Sequence, residues 1–180
     1  MMKELCMRNL MEIRSLVSEI DPEAYRLPIP LLFGASIGQL VRKILEKYQA
    51  SLVSMTYGAV EYTRKNGKVE LQVEPEIAIK SIDDIYLQIE AIEKDNYMIM
   101  LYDFSEGIEE NVNSIETTLF RELAYNLEHS NHHQVLIKIA CVILGIEDLL
   151  PENFGVDPTI VNHDLKQNDN FLKPKKHAEK

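Results

Sequence analysis

Apolar side chains recur every three or four residues in four separate stretches of this chain, and no other feature of the sequence constrains its fold more. Cys6, Leu10, Ile13, Val17 and Ile20 step by four, three, four and three residues. Such spacing lines one face of an α-helix, where 3.6 residues complete a turn. It predicts a first helix from about Lys3 to Ile20, broken at Asp21-Pro22 because proline cannot continue a helix and restrains its predecessor. Ile37, Val41, Ile44, Tyr48, Leu52 and Met55 predict a second, from Ile37 to about Arg64, with Ser36 as N-cap and Asn66-Gly67 as stop. Ile79, Ile82, Ile85, Ile89 and Ile92 predict a third, from about Glu76 to Lys94-Asp95-Asn96. Leu119, Leu123, Leu127, Ile137, Ala140 and Leu144 predict the fourth, from about Glu116 to Leu144, with Gly145 as its C-terminal cap.

The connectors are of several kinds. Tyr25 to Ala35, with Pro28, Pro30 and Gly34, reads as an extended link laid over apolar surface. Val69, Leu71 and Val73 alternate with polar residues as a short strand does, although Pro75 limits it. Tyr97 to Phe104 is β-like in composition, and the acidic run from Glu106 to Ser114 contains Gly107. A short β-hairpin between helices three and four and an irregular excursion are equally compatible with that stretch. Asp148 to Ile160 reads as a loop holding Pro151, Gly155 and Pro158. The expected fold is therefore all-α, a four-helix bundle over residues 1–161 followed by a polar tail over 162–180. Two long connections argue against a simple up-down-up-down bundle with tight turns.

Composition narrows the partners. A chain of 180 residues with 46% apolar residues is large enough for one core. A net charge of −10 repels phosphate backbones, so no nucleic-acid partner is expected. The longest apolar run, Val135 to Ile146, is interrupted by Lys138 and too short to span a bilayer, so no membrane partner is expected either. Cys6 and Cys141 are too few for a disulfide framework and sit on apolar stripes, which favours a reducing, cytoplasmic setting.

Chemistry concentrates in the fourth helix, in Glu122-Leu-Ala-Tyr125-Asn126-Leu-Glu-His129-Ser-Asn-His132-His133. Residues three and four apart share a helix face, so Glu122, Asn126, His129 and His133 form one polar ladder. Imidazoles one turn apart can share a metal ion, as in zinc sites built on a helix. Two ligands do not complete a site, however, and such a pair on its own is more often structural or incidental. His132 points about a quarter turn away and reads as a flank. G-x-S-x-G, P-loop, G-x-G-x-x-G and C-x-x-C motifs are absent.

Three segments carry a family resemblance: Ser36-Ile-Gly-Gln-Leu-Val-Arg-Lys-Ile-Leu-Glu-Lys-Tyr48, Arg121-Glu-Leu-Ala-Tyr-Asn-Leu-Glu-His129-Ser-Asn-His-His133 and Pro151-Glu-Asn-Phe-Gly-Val-Asp-Pro158. Together they resemble the DinB-like (YfiT-like) superfamily over roughly residues 5–161. The resemblance implies an up-down-down-up four-helix bundle, often homodimeric. It also implies a divalent metal, commonly nickel or zinc, held by three histidines and serving a hydrolase or thiol transferase. His129 and His133 match the family's pair on the last helix. The helix-two histidine aligns best with Lys43, and relatives often place another where Leu40 stands; neither position is histidine here. Three readings follow. In the first, His129 and His133 bind metal with a third ligand from elsewhere. In the second, a metal-free pocket binds a small molecule, oriented by Glu122, Asn126 and His129 with Tyr48 or Tyr125 at its mouth. In the third, the histidines are core residues of a structural or interaction protein. Lys43 is a candidate to fill the vacated volume and pair with Glu122.

Overall fold

Capping chemistry sets the helix boundaries in the computed structural model, which describes residues 1–62, 68–102 and 113–156. Helix α1 spans Met2–Glu19. The Asp21-Pro22 break is also a start: the Asp21 carboxylate accepts from the N–H groups of Glu23 and Ala24, and Pro22 opens the short α2, Pro22–Arg26. Ser36 and Gln39 form a reciprocal capping box that begins α3, Ile37–Tyr57. Helix α3 stops before Arg64, at Gly58, whose φ of 72° lies in the left-handed region that glycine adopts without strain. The next residues form strand β1, Ala59–Glu61. Val69 to Glu74 is not a strand; Glu70–Val73 makes one helical turn, α4, that buries Leu71. Pro75 then opens α5, Pro75–Glu90.

Strands β2, Tyr97–Tyr102, and β3, Asn113–Thr118, pair antiparallel from Tyr97↔Thr118 to Tyr102↔Asn113. The hairpin reading therefore holds for the paired strands, and the fourth helix begins later than Glu116, which lies in β3. Thr118 caps α6, Leu119–Leu144, and Gly145 ends it with φ 68°. Strand β1 adds a parallel partner to β2, in register Ala59↔Ile99, so the sheet order is β1-β2-β3. The all-α expectation is corrected accordingly: the protein is mostly helical with a small three-stranded sheet. The loop expected after Asp148 includes a 3-10 turn at Glu147–Leu149, and Phe154 anchors it in the core. Asn66-Gly67, Gly107, His163, His177 and the polar tail lie outside the described residues.

The four long helices pack as pairs whose directions follow from their side-chain contacts. Lys3 reaches the carbonyl of Glu90 at 2.8 Å and Arg14 pairs with Asp83 at 2.6 Å, so α1 and α5 run antiparallel. Cys6 meets the Leu123 carbonyl and Asn9 meets Ser130 and Asn131, so α1 and α6 run parallel. Gln49 bonds Ser81 of α5, and Gly38 abuts Gln72 in the turn α4 that leads into α5, so α3 runs parallel to α5. Ser51 meets Asn126 while Lys43 shares a cavity with His129, so α3 and α6 are antiparallel. Leu10, Ile13, Leu45, Ile82, Leu123 and Ile137 fill the space between them and are fully buried. Cys6 and Cys141 are free and buried as their apolar stripes predict, and burial pushes both thiols up to about 11. No helix among the described residues is long and apolar enough to cross a membrane.

Candidate functional site

Helix α6 carries the polar ladder, but the structure divides it into two halves with different tasks. In the first, Glu122 and Asn126 are fully buried. The Glu122 carboxylate accepts from the Tyr62 hydroxyl at 2.6 Å, the Thr117 hydroxyl at 2.6 Å and Arg121 Nη1 at 3.0 Å. Asn126 Nδ2 donates to Ser51 Oγ at 2.7 Å, and Ser51 Oγ lies 2.8 Å from the Tyr62 hydroxyl. These bonds join α3, the residue after β1, β3 and α6. Glu122 and Asn126 thus hold Tyr62 and Ser51 in place, and neither lines the two cavities described below, although Asn126 Oδ1 is buried without a hydrogen-bond partner. Lys43 does not pair with Glu122 either; it is exposed, and Arg121 forms the ion pair with that carboxylate.

The second half opens to solvent. His129 lines a cavity of about 180 Å³ together with Lys43, Lys47, Glu46 and Tyr62. Its Nε2 is buried without a hydrogen-bond partner. Burial, then the His133, Lys47 and His132 charges, lower its pKa to about 4, with the Lys43 backbone opposing. The His133 ring stacks beside it, centroids 4.2 Å apart. His133 Nδ1 lies 2.9 Å from the His129 carbonyl, so the neutral ring donates there and keeps its lone pair on Nε2. Burial lowers the His133 pKa as well, against that backbone bond and with help from Lys43, His132 and Lys47. His132 is exposed, its ring edge-on to His133 at 5.6 Å, as its helical phase predicts.

The other predicted pocket residues separate. Leu40 and Tyr48 belong to the core and line neither of the two cavities beside His129 and Tyr125: both are buried, and the Tyr48 hydroxyl lies beside the Cys6 thiol. Tyr48 at the mouth is therefore corrected, because its helical face turns toward α1. Tyr125 is partly exposed and lines a second cavity, of about 270 Å³, with Tyr62, Lys47, Arg121, Met100 and Leu101. Lys47, Tyr62, Ser51 and Thr117 are the residues that sequence reasoning missed. The four-residue spacing of Lys43 and Lys47 was the available signal for one of them. Lys47 Nζ stands 4.3 Å from the Tyr62 ring centroid and 5.6 Å from that of Tyr125. Burial lowers its pKa and Glu122 raises it.

The three-histidine set that the resemblance implies is incomplete here, with Leu40 and Lys43 at the positions of the helix-two histidine. Among the described residues no group of three His, Cys, Asp or Glu side chains is arranged to hold an ion. Lys43 and Lys47 share the cavity wall with His129, as do Glu46 and Glu61; the lysine charges act on the imidazoles and would repel a cation, and a protonated lysine nitrogen has no lone pair to offer one. The chain matches no family model, no curated protein and no solved structure. The reading of the site therefore rests on its own chemistry.

Proposed function

We propose that the chain is a DinB-like four-helix bundle of up-down-down-up order that works without metal and binds a small molecule in the lysine-lined cavities between α3, α6 and β1. The pairwise helix directions support the topology: α1 and α6 run one way, α3 and α5 the other. The observation that carries the function is the wall of the first cavity. There His129 is held neutral at ordinary pH with its Nε2 buried and unpartnered, and Lys43 and Lys47 share the wall with it, beside Glu46 and Glu61. A buried polar atom without a partner costs about 1–3 kcal/mol, which a bound ligand can recover. Two free, buried cysteines accord with a reducing, cytoplasmic setting.

Metal analysis of protein purified without an affinity tag tests this. Nickel and zinc are expected well below one equivalent, with no rise in melting temperature when either is added. One equivalent of either metal, lost in His133→Ala, would overturn the proposal in favour of a metal-dependent hydrolase or transferase. Homodimerisation belongs to the same proposal. The partly exposed Val135, Ile139, Val142 and Ile143 share one face of α6 that a second copy would cover, and light scattering reads the mass directly.

A further inference from the structure

Among the described residues, two cations and no carboxylate line the second cavity. The two cations are not equivalent. Arg121 already pairs with Glu122 at 3.0 Å and its side chain is 60% exposed. Lys47 is half-buried, and its ammonium has no ion pair or hydrogen bond with a described residue; the rings of Tyr62 and Tyr125 lie beside it. Glu122, the nearest buried anion, has its two oxygens engaged by Tyr62, Thr117 and Arg121. Lys47 is thus an ammonium partly withdrawn from water that forms no ion pair with a described residue, although Glu46 and Glu61 line the first cavity with it, and it stands at the edge of an open space. A charge in that position favours an anion that arrives from outside.

The rest of the cavity limits what that anion can be. Met100, Leu101 and the ring of Tyr125 present apolar surface. One uncommitted ammonium suits a monoanion; a phosphate dianion would need more donors than this wall offers. A volume of about 270 Å³ lies near the lower end of the range of about 300–1,000 Å³ for small-molecule sites, so the ligand is small.

We propose that this cavity binds a small monocarboxylate with an apolar body, of the size of benzoate or octanoate, its carboxylate on Lys47 Nζ and its body against Met100, Leu101 and Tyr125. The proposal rests on the metal-free reading of the site and names its ligand class. The Tyr62 ring, held by Glu122 and Ser51, fixes the ammonium from below, so the position of the charge is set before the ligand arrives.

Calorimetric titration of the full chain with octanoate and benzoate, and with octanol and benzylamine as uncharged and cationic counterparts, tests it. The carboxylates are expected to bind at least tenfold more tightly than either counterpart, and Lys47→Met is expected to lose at least that tenfold while Lys47→Arg retains most of it. Equal binding of acid, alcohol and amine, carboxylate binding unchanged in Lys47→Met, or no carboxylate binding at millimolar concentration would overturn the assignment. A measurement on the unaltered protein stands beside the variants in case Lys47→Met does not fold. Octanoate should slow acetylation of Lys47 by an amine-reactive reagent several-fold relative to the other lysines, read by peptide mass spectrometry; equal rates would refute it. Metal content of the same preparation separates the two levels. A metal-free protein indifferent to carboxylates removes this inference alone, whereas a stoichiometric metal on His129 and His133 removes the reading beneath it.

Discussion

Glu122→Gln is the most informative single perturbation of the buried network. The substitution keeps the side-chain shape and removes the charge. The native carboxylate accepts two hydroxyl bonds at 2.6 Å, from Tyr62 and Thr117, in a site with no solvent exposure. Hydrogen bonds to a charged group contribute about 1.5–3 kcal/mol each, and neutral ones about 0.5–1.5 kcal/mol. Glutamine retains one acceptor oxygen, so one of the two bonds becomes neutral. Its amide nitrogen faces the other hydroxyl, which must turn and accept instead of donate. The Arg121 pair adds at most ~1 kcal/mol, because that guanidinium is largely in water. Removing a buried charge recovers part of its desolvation cost and acts in the opposite direction. The net expectation is a loss of about 2–3 kcal/mol, or a melting temperature lower by about 4–12 °C for a chain of this size. Urea unfolding followed by far-UV circular dichroism measures it, tyrosine being the only strong intrinsic fluorophore in a chain without tryptophan. A double-mutant cycle with Tyr62→Phe should return a coupling of about 1–2 kcal/mol. Unchanged or increased stability in Glu122→Gln would show that desolvation outweighs the bonds and that the network does not hold Tyr62 as argued.

Three further outcomes follow from particular residues. Lys43→His places an imidazole where the DinB-like pattern expects one; the variant should acquire about one equivalent of zinc or nickel, dependent on His133, and metal analysis that finds none would disconnect Lys43 from the family's site. His129 titrates near 4 in the fold against 6.5 for an unperturbed imidazole, so the unfolded chain binds the extra proton first. Its contribution to stability is complete above pH 6.5 and is lost as pH falls from there toward 4; His129→Gln should flatten that part of the urea-midpoint profile, and an unaltered slope would contradict the burial argument. At Gly38 two effects oppose each other. Alanine favours a helix by about 1 kcal/mol, but a Cβ here would lie 2.1 Å from the Gln72 carbonyl oxygen and 2.7 Å from the Tyr25 ring. Overpacking of this kind costs about 1–3 kcal/mol or more, so Gly38→Ala should destabilise in urea, and a stabilised variant would mean that α4 can move away freely.

The helices were legible in the sequence because their signals are local. Ser36 with Gln39, Gly145 and the steps of three and four residues each act within a turn or two of chain, and the structure places helix ends where most of them indicate. Errors came where a second element competed for the same residues. Helix α3 ends at Gly58 and not Arg64 because Ala59, Val60 and Glu61 gain backbone partners in β2. Glu116 leaves the fourth helix for the same reason, paired with Ile99 in the sheet. Pairings across dozens of residues leave no periodic trace in either partner.

The candidate site divides along the same line. The i,i+4 placement of His129 and His133 on one helix face, and the absence of a histidine at residues 40 and 43, are properties of the sequence alone. That Glu122 and Asn126 Nδ2 enter a buried network, that Tyr48 turns to Cys6, and that Lys47 stands beside both Tyr62 and Tyr125 were decided by tertiary structure. Helical phase says which residues share a face. Whether that face meets water, a partner hydroxyl or a cavity depends on elements that approach from elsewhere in the chain, and only the packed fold brings them together.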